Sequence, residues 1–521
     1  GSCVSFLGQE ALGTRLEGFT LTGGRGTPHP SFLIAVGGGV RVINTQAARS
    51  EPTIKNCSIQ ACEAIAGAGV LAFGHVVLHL EDCVITNNST LVTGMPGSLP
   101  TGLGDGTAGV LVDQGASADL LRCDIHSNVG AGLLLAATLA MAPPHHVKDC
   151  RIANHVLPTG TSPLAVSSGL HLEGGIVEGT VIENNATTGQ GGALSGCGPV
   201  TLTNCVLRGN VAREGGAIAI LGGRVDLINV TITANQATDP MSAVIHAWPQ
   251  LSPQTALSAE NSILWGNASP VLALGFMTSN FPPLAFLFSH CDLTGGFAGP
   301  SNLDVDPVFV APASGDHRLK ADSPVIDRGD AASPGLPPTD LDGNPRVIFG
   351  APDLGAYEVT DIAADPVFDG TVGINAGGPF DVLFINGQSG GGDRRVVVPI
   401  GQPLSLDVAL PPTHSGPSAP FIIFGVFAVP RYTDTFVLPF GVGPIAFLPC
   451  PIAPVFQPVL FTAADSYGVN ICSPVAPSAP APWSTGPLPG IPFPVRLSFQ
   501  GVIDEVAGQA RVTNGVILVV N

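Results

Sequence analysis

The first three hundred residues repeat one short pattern: small or apolar, any, aliphatic, any, any, then Asn or Gly. Cys83-Val84-Ile85-Thr86-Asn87-Asn88 is a clear copy, and the first position returns at Phe19, Cys57, Cys83, Cys123, Cys150, Thr180, Cys205, Val230, Ser262 and Cys291. Two places on stand Leu21, Ile59, Ile85, Ile125, Ile152, Ile182, Leu207, Ile232, Leu264 and Leu293. Positions one and three share parity, so in an extended strand both point to one face and the residue between them to the other. The apolar set must face inward, while Val84, Asp124, Arg151 and Asp292, among others, face out. A single coil has nothing to bury its apolar row against, so the copies must stack. Their spacings, 38, 26, 40, 27, 30, 25, 25, 32 and 29 residues, follow the uneven rhythm of a solenoid with a constant core and variable loops.

The sixth position is Asn88, Asn128, Asn185, Asn210, Asn235 or Asn267 in six of the ten copies. Asparagine tolerates left-handed backbone angles and bonds nearby backbone groups, as a turn requires. Stacked at roughly 4.8 Å, its amides also bond to their equivalents above and below, so a ladder is expected. Gly-rich steps such as Gly67-Ala68-Gly69-Val70, Gly130-Ala131-Gly132-Leu133 and Gly215-Gly216-Ala217-Ile218 then open a second strand. On these residues the chain resembles the right-handed parallel β-helix repeat proteins of bacterial cell surfaces, over about residues 1 to 300. The resemblance implies a fold and no particular chemistry. Ten coils at roughly 4.8 Å make a rod of about 50 Å.

Past Cys291 the text changes to Asp304-Val305-Asp306-Pro307-Val308-Phe309, Gly315-Asp316-His317-Arg318-Leu319, Ser323-Pro324-Val325-Ile326-Asp327, Thr339-Asp340-Leu341-Asp342-Gly343-Asn344-Pro345-Arg346 and Asp353-Leu354-Gly355-Ala356-Tyr357-Glu358. This stretch is similar to the choice-of-anchor Q domain, which implies export and surface association without implying a reaction. It is suited to closing an open solenoid end, where unpaired strand edges would recruit other chains. From about residue 361, short apolar runs such as Phe421-Ile422-Ile423-Phe424 and Val495-Arg496-Leu497-Ser498-Phe499 alternate with Pro and Gly turns. The expected class is therefore all-β: a right-handed parallel β-helix over 1–305, a capping segment over 306–360 and a β-sandwich over 361–521.

Composition narrows function more than fold. The chain of 521 residues has 67 Gly, 48 Pro and 11% charged residues, against about 25% in an average soluble protein, which suits strands and turns. A formal charge of −19 with only Lys55, Lys148 and Lys320 as lysines leaves no basic surface for a polyanion, so nucleic acid is excluded as a partner. Pro or Gly interrupts every apolar run before about 18 residues, so no transmembrane helix is expected. The chain opens at Gly1-Ser2-Cys3 without the cap that solenoids carry, the mark of a trimmed product.

Among the eleven cysteines, Cys57, Cys83, Cys123, Cys150 and Cys205 share the inward first slot. They form either a stack of free thiols or bridges between neighbouring coils, such as Cys57 with Cys83 or Cys123 with Cys150. Cys450 and Cys472 stand apart as a disulfide candidate. Asp340, Asp342 and Asn344, with Gly343 and nearby Asp353, supply the hard oxygens and the turn of a calcium loop; an Asx-rich turn uses the same residues. Asn87, Asn88, Asn185 and Asn267 begin glycosylation-like triplets but read as turn residues. Gly74-His75-Val76 faintly resembles an element of pectin-cleaving hydrolases, yet the accompanying aspartates and basic motif are absent. His145, His146, His155 and His171 would be scattered over coils and faces. Before residue 300 the only large aromatic platforms are Trp248 and Trp265.

These readings lead to an exported, extracellular or cell-surface, non-enzymatic rod, self-associating into a filament or layer or binding a surface component, with a glycan as a further partner through its long loops. The alternative is a polysaccharide lyase or glycoside hydrolase acting along the solenoid groove, which needs two or more carboxylates converging on one sheet face.

Overall fold

The computed structural model describes residues 1–8, 13–28, 34–46, 48–91, 106–136, 143–157, 167–248, 256–274, 285–320, 323–348 and 351–359, and, of the C-terminal third, 382–388, 395–410, 417–426, 436–438, 443–445, 460–465, 480–489, 495–506, 509–512 and 516–520. The chain divides into two compact units. One comprises Gly1–Arg318, Val325–Arg346 and Pro352–Glu358; the other comprises Leu319–Pro324, Val347–Ala351 and Val359–Asn521.

The first unit is a parallel β-helix, and coil 3 shows its plan. Val70–Gly74 lies on a first face, Val77–Glu81 on a second and Val84–Thr86 on a third, followed by the two-residue strand Ser89–Thr90. Each strand pairs in parallel with its counterparts in the coils on either side: Ile85 stands opposite Ile59 of coil 2 and Ile125 of coil 4. On the third face ten short strands, from Thr20–Thr22 to Asp292–Leu293, form one ten-stranded sheet in chain order. Inward residues from all three faces merge into a single apolar core running from Leu21 to Leu293. Phe19, in the inward slot of coil 1, is instead 54% exposed, because that strand has a described neighbour on one side only.

Each third-face strand is bounded by two bends. In all ten coils the residue before position one and the residue at position five have positive φ, as at Asp82 (53°) and Asn87 (55°), or Asn184 (55°) and Asn204 (52°). The left-handed residue is thus position five, and the ladder asparagine beside it does different work. Asn88 Nδ2 donates to Asn128 Oδ1 at 3.0 Å and to the Ile59 carbonyl at 3.0 Å, while the Asn88 backbone N–H donates to the same Oδ1 at 2.9 Å. The pattern repeats from Asn185 to Asn210, Asn235 and Asn267. Buried backbone groups that a bend would orphan are satisfied by a side chain of the next coil. In coils 3 and 6 the glycine just before the first-face strand passes close by: a Cβ on Gly69 or Gly169 would lie 3.3 or 3.1 Å from the Asn88 or Asn185 amide nitrogen.

Position one forms a second ladder at the other bend. The Cys83 thiol donates to the Glu81 carbonyl at 3.2 Å, and Thr180 Oγ1 and Ser262 Oγ make the equivalent bond at 2.8 Å. The same side chains accept from the coil before, as in Val230 N–H to Ser262 Oγ at 3.1 Å and Cys123 N–H to Cys150 Sγ at 3.4 Å. Cys, Ser and Thr alternate here because each is small and carries one weak or strong donor. The nine described cysteines are free thiols, and burial pushes Cys205 and Cys291 up to about 12, which makes them inert.

Beyond Cys291 a last rung forms by a bridge from Asp292 to Leu303, and the chain then turns back along the flank of coils 7 to 9. Outward residues of the third face are exposed or half-buried at Ser58, Val84, Asp124, Arg151 and Val181, and buried at Val206, Thr231 and Ile263. The returning segment accounts for the change. Ala356 N–H donates to Thr231 Oγ1 at 3.0 Å, and Gly355, at φ 85°, comes so close that a Cβ would meet that oxygen at 2.6 Å. Asn204, Asn229 and Asn261, the left-handed residues of three successive coils, bond to the backbone of Thr339, of Asp353 and Gly355, and of Asp330. Asp292, an outward residue by parity, is fully buried because Val305 folds over it and donates to Oδ1 at 3.1 Å.

In the second unit, Leu383–Ile385, Leu406–Val408 and Trp483–Ser484 form an antiparallel three-stranded sheet. Arg395–Val398, Val516–Val520, Val495–Val506, Phe421–Val426 and Leu460–Asp465 form another, with Gln509–Val512 on its side. Leu383, Ile385 and Val408 of the first share an apolar cluster with Phe421, Phe499 and Leu518 of the second.

Candidate functional site

A site along the solenoid would be built from its outward side chains, and on the second and third faces the register sets these in vertical columns one coil apart. On the second face, Lys55 Nζ lies 2.6 Å from Glu81 and 3.6 Å from Asp82, and Arg122 grips Asp82 through Nε at 2.7 Å and Nη2 at 2.9 Å. His79 faces Asp119 at 3.2 Å, a hydrogen bond that raises its pKa, and Glu178 takes His146 at 3.4 Å and Lys148 at 3.2 Å. On the third face Asp124 contacts Arg151 at 3.2 Å, Arg151 reaches Glu183 at 2.7 Å, and Arg208 closes on the other Glu183 oxygen. Burial pushes the Glu183 carboxyl up, but the two guanidinium groups outweigh it and hold the group below its usual range. A carboxylate held ionised between two arginines is a poor general acid.

The histidines go to separate places. His155 occupies position six of coil 5 and replaces an asparagine in the ladder. It accepts from Asn128 N–H on Nδ1 at 3.2 Å, faces the Ile125 carbonyl through Nε2 at 3.1 Å and donates its own N–H to Asn185 Oδ1 at 3.0 Å. This fixes the Nε2–H tautomer. The ring lies over Gly132, where a Cβ would meet it at 2.4 Å. His145, in the same coil, is also buried, and burial lowers both to about 4, so both are neutral at pH 7. His75 lies exposed at the bend between the first and second faces.

His171 marks an arrangement on the first face that residue spacing alone did not disclose. Its Nδ1 lies 2.8 Å from Ser195 Oγ, one coil on, and its Nε2 lies 3.6 Å from Glu173. Serine, imidazole and carboxylate in a row suggest a nucleophile, but Ser195 has no exposed surface and its oxygen accepts the Ser167 N–H at 3.1 Å. No substrate carbonyl reaches it.

The calcium candidates come together only in part. Asp340 Oδ1 accepts from the backbone of Asp342 at 3.0 Å and Asn344 at 2.7 Å, and Oδ2 accepts from Asn344 Nδ2 at 3.1 Å and Glu358 N–H at 2.8 Å. Asp342 points away to Arg318, which holds it at 2.6 and 2.9 Å, and Asp353 Oδ1 accepts from Asp327 N–H at 2.7 Å. Among the described residues no three His, Cys, Asp or Glu side chains are grouped to hold a metal. Next to this turn, Arg346 is almost fully buried and donates to Glu358 at 3.0 Å, to the carbonyls of Gly355 and Ala356 and to Asn204. Burial and the Asp353 charge push the Glu358 carboxyl up against the pull of Arg346. Of the glycosylation-like triplets, Asn88 and Asn185 are buried in the ladder, Asn267 is half-buried and Asn87 is exposed. Cys450 and Cys472 lie outside the described residues.

Residues 38–255 match the family model of the right handed beta helix region. The solenoid is a right-handed parallel β-helix. No curated protein and no solved structure matches the chain. Among the described residues, no helix of this β-helix protein is long and apolar enough to cross a membrane.

Proposed function

We propose that this β-helix protein is an exported, non-enzymatic scaffold of the cell surface, in which the solenoid is a rigid rod and the C-terminal unit, a β-sandwich, serves attachment or assembly. One observation carries the reading. Six outward carboxylates, Glu81, Asp82, Asp119, Asp124, Glu178 and Glu183, each bond to a basic side chain of an adjacent coil. They cross-brace coils 2 to 7 instead of converging on a substrate. Single exposed pairs contribute only about 0–1 kcal/mol, so their value lies in the network.

Incubation with oligogalacturonate, alginate and hyaluronan tests this against the lyase or hydrolase alternative. The scaffold reading expects no new reducing ends and no unsaturated products, and turnover that Glu183→Gln abolishes would overturn it. Self-association into a filament is tested separately by negative-stain imaging, where monomers at every concentration would count against it.

A further inference from the structure

We propose that the three-stranded sheet of the C-terminal unit carries a groove for a neutral oligosaccharide. Leu383, Ile385, Leu406 and Val408 alternate into the core and are buried, which turns Phe384 and Asp407 outward. The register sets Phe384 opposite Asp407 and Asp407 opposite Ser484, so ring, carboxylate and hydroxyl lie in one row across the sheet. Asp407 is positioned by Ser405 Oγ at 2.8 Å and by Ser484 Oγ.

Beside this row lie two shallow depressions that share Ser484. One, of about 360 Å³, is lined by Phe384, Asp407, Ala409, Pro482 and Trp483; the other, of about 240 Å³, is lined by Asn386, Pro403, Leu404, Ser405 and Pro487. Trp483 stands opposite buried Val408 and packs toward the core against Phe421, ring centroids 5.4 Å apart. The outward Phe384 ring and the prolines, with a few fixed polar atoms between them, match the alternating C–H faces and hydroxyls of a pyranose chain. A sugar hydroxyl donating to Asp407 leaves Ser484 free to donate in turn. The ligand is neutral because a chain of formal charge −19 repels a uronic acid. Unlike the braced carboxylates of the solenoid, Asp407 has only hydroxyl partners among the bonds described, so it can exchange one for a ligand.

Calorimetric titration of the full chain with cellohexaose, maltohexaose and chitohexaose, and with hexagalacturonate as the acidic probe, tests this. At least one neutral hexasaccharide is expected to bind with a Kd on the order of 10 μM to 1 mM, and hexagalacturonate about tenfold more weakly or not at all. Asp407→Asn and Phe384→Ser are each expected to weaken binding about tenfold or more with an unchanged circular dichroism spectrum. The proposal fails if no neutral probe binds, if hexagalacturonate binds best, or if both variants bind like the parent. None of those outcomes touches the scaffold reading, which rests on the solenoid.

Discussion

The solenoid corners and the returning segment solve the same problem in opposite ways. Both must satisfy buried backbone groups at bends. In the corners the solution repeats: position one and position six supply the same bond in coil after coil, and a neighbour of the same kind stands above and below. In the segment it occurs once. Arg346 gathers two carbonyls, Glu358 and Asn204 at a single point, and Asp340 takes three donors from its own turn and a fourth from the Glu358 N–H. The repeated arrangement spreads loss over many rungs, whereas the single one concentrates it on one guanidinium.

The sharpest way to break this contrast is Arg346→Leu. It strips donors from Glu358, Asn204 and the Gly355 and Ala356 carbonyls, all left buried, and the free energy for releasing the segment should fall by about 3–5 kcal/mol, read as lost amide protection over 323–358 while coils 2–5 keep theirs. In the ladder, Asn185→Ala removes donors to Ile152 and Asn210 and orphans the His155 N–H; about 2–4 kcal/mol of solenoid stability should be lost by denaturant titration.

His155→Asn sharpens the comparison by pH. With a folded pKa near 4, below the ordinary value of 6.5, His155 contributes fully above about 6.5 and that contribution is lost as pH falls toward 4, by up to about 3 kcal/mol. The variant should match the parent within about 1 kcal/mol at pH 7 and resist acid better, with His145 still titrating in the same window. Melting curves at pH 7 and pH 4.5 decide it. The smallest effect belongs to chelation: EDTA should leave the melting temperature unchanged, since Asp340 is committed to N–H donors and Asp342 to Arg318.

The periodic part of this fold was legible in the residues. Parity at positions one and three gave the inward row, and stacked asparagines gave the ladder, because both depend on contacts between equivalent positions. The role of Cys at position one was harder to see, since a thiol reads equally as an apolar filler or a disulfide half; Thr180 and Ser262 in the same slot were the available signal for a donor. His155 was likewise countable as position six of its copy. The path of the returning segment was not legible, because Asn204, Asn229 and Asn261 bond to backbone distant in sequence, with no periodicity to announce it. The Ser195–His171–Glu173 row depends on register between coils and follows from no local motif.

The most direct test of stacked coils is pairwise cross-linking on the third face. Val84 and Asp124 are 40 residues apart in sequence but stand opposite each other in adjacent strands, whereas Val84 and Arg151 are two coils apart. Adjacent strands are about 4.8 Å apart, within disulfide range, and alternate ones about 9.6 Å, beyond it. Oxidation of Val84→Cys/Asp124→Cys should therefore give the new bridge in mass-mapped peptides, and Val84→Cys/Arg151→Cys should not. Equal bridging in both pairs, or none in the first, would contradict the stacked solenoid.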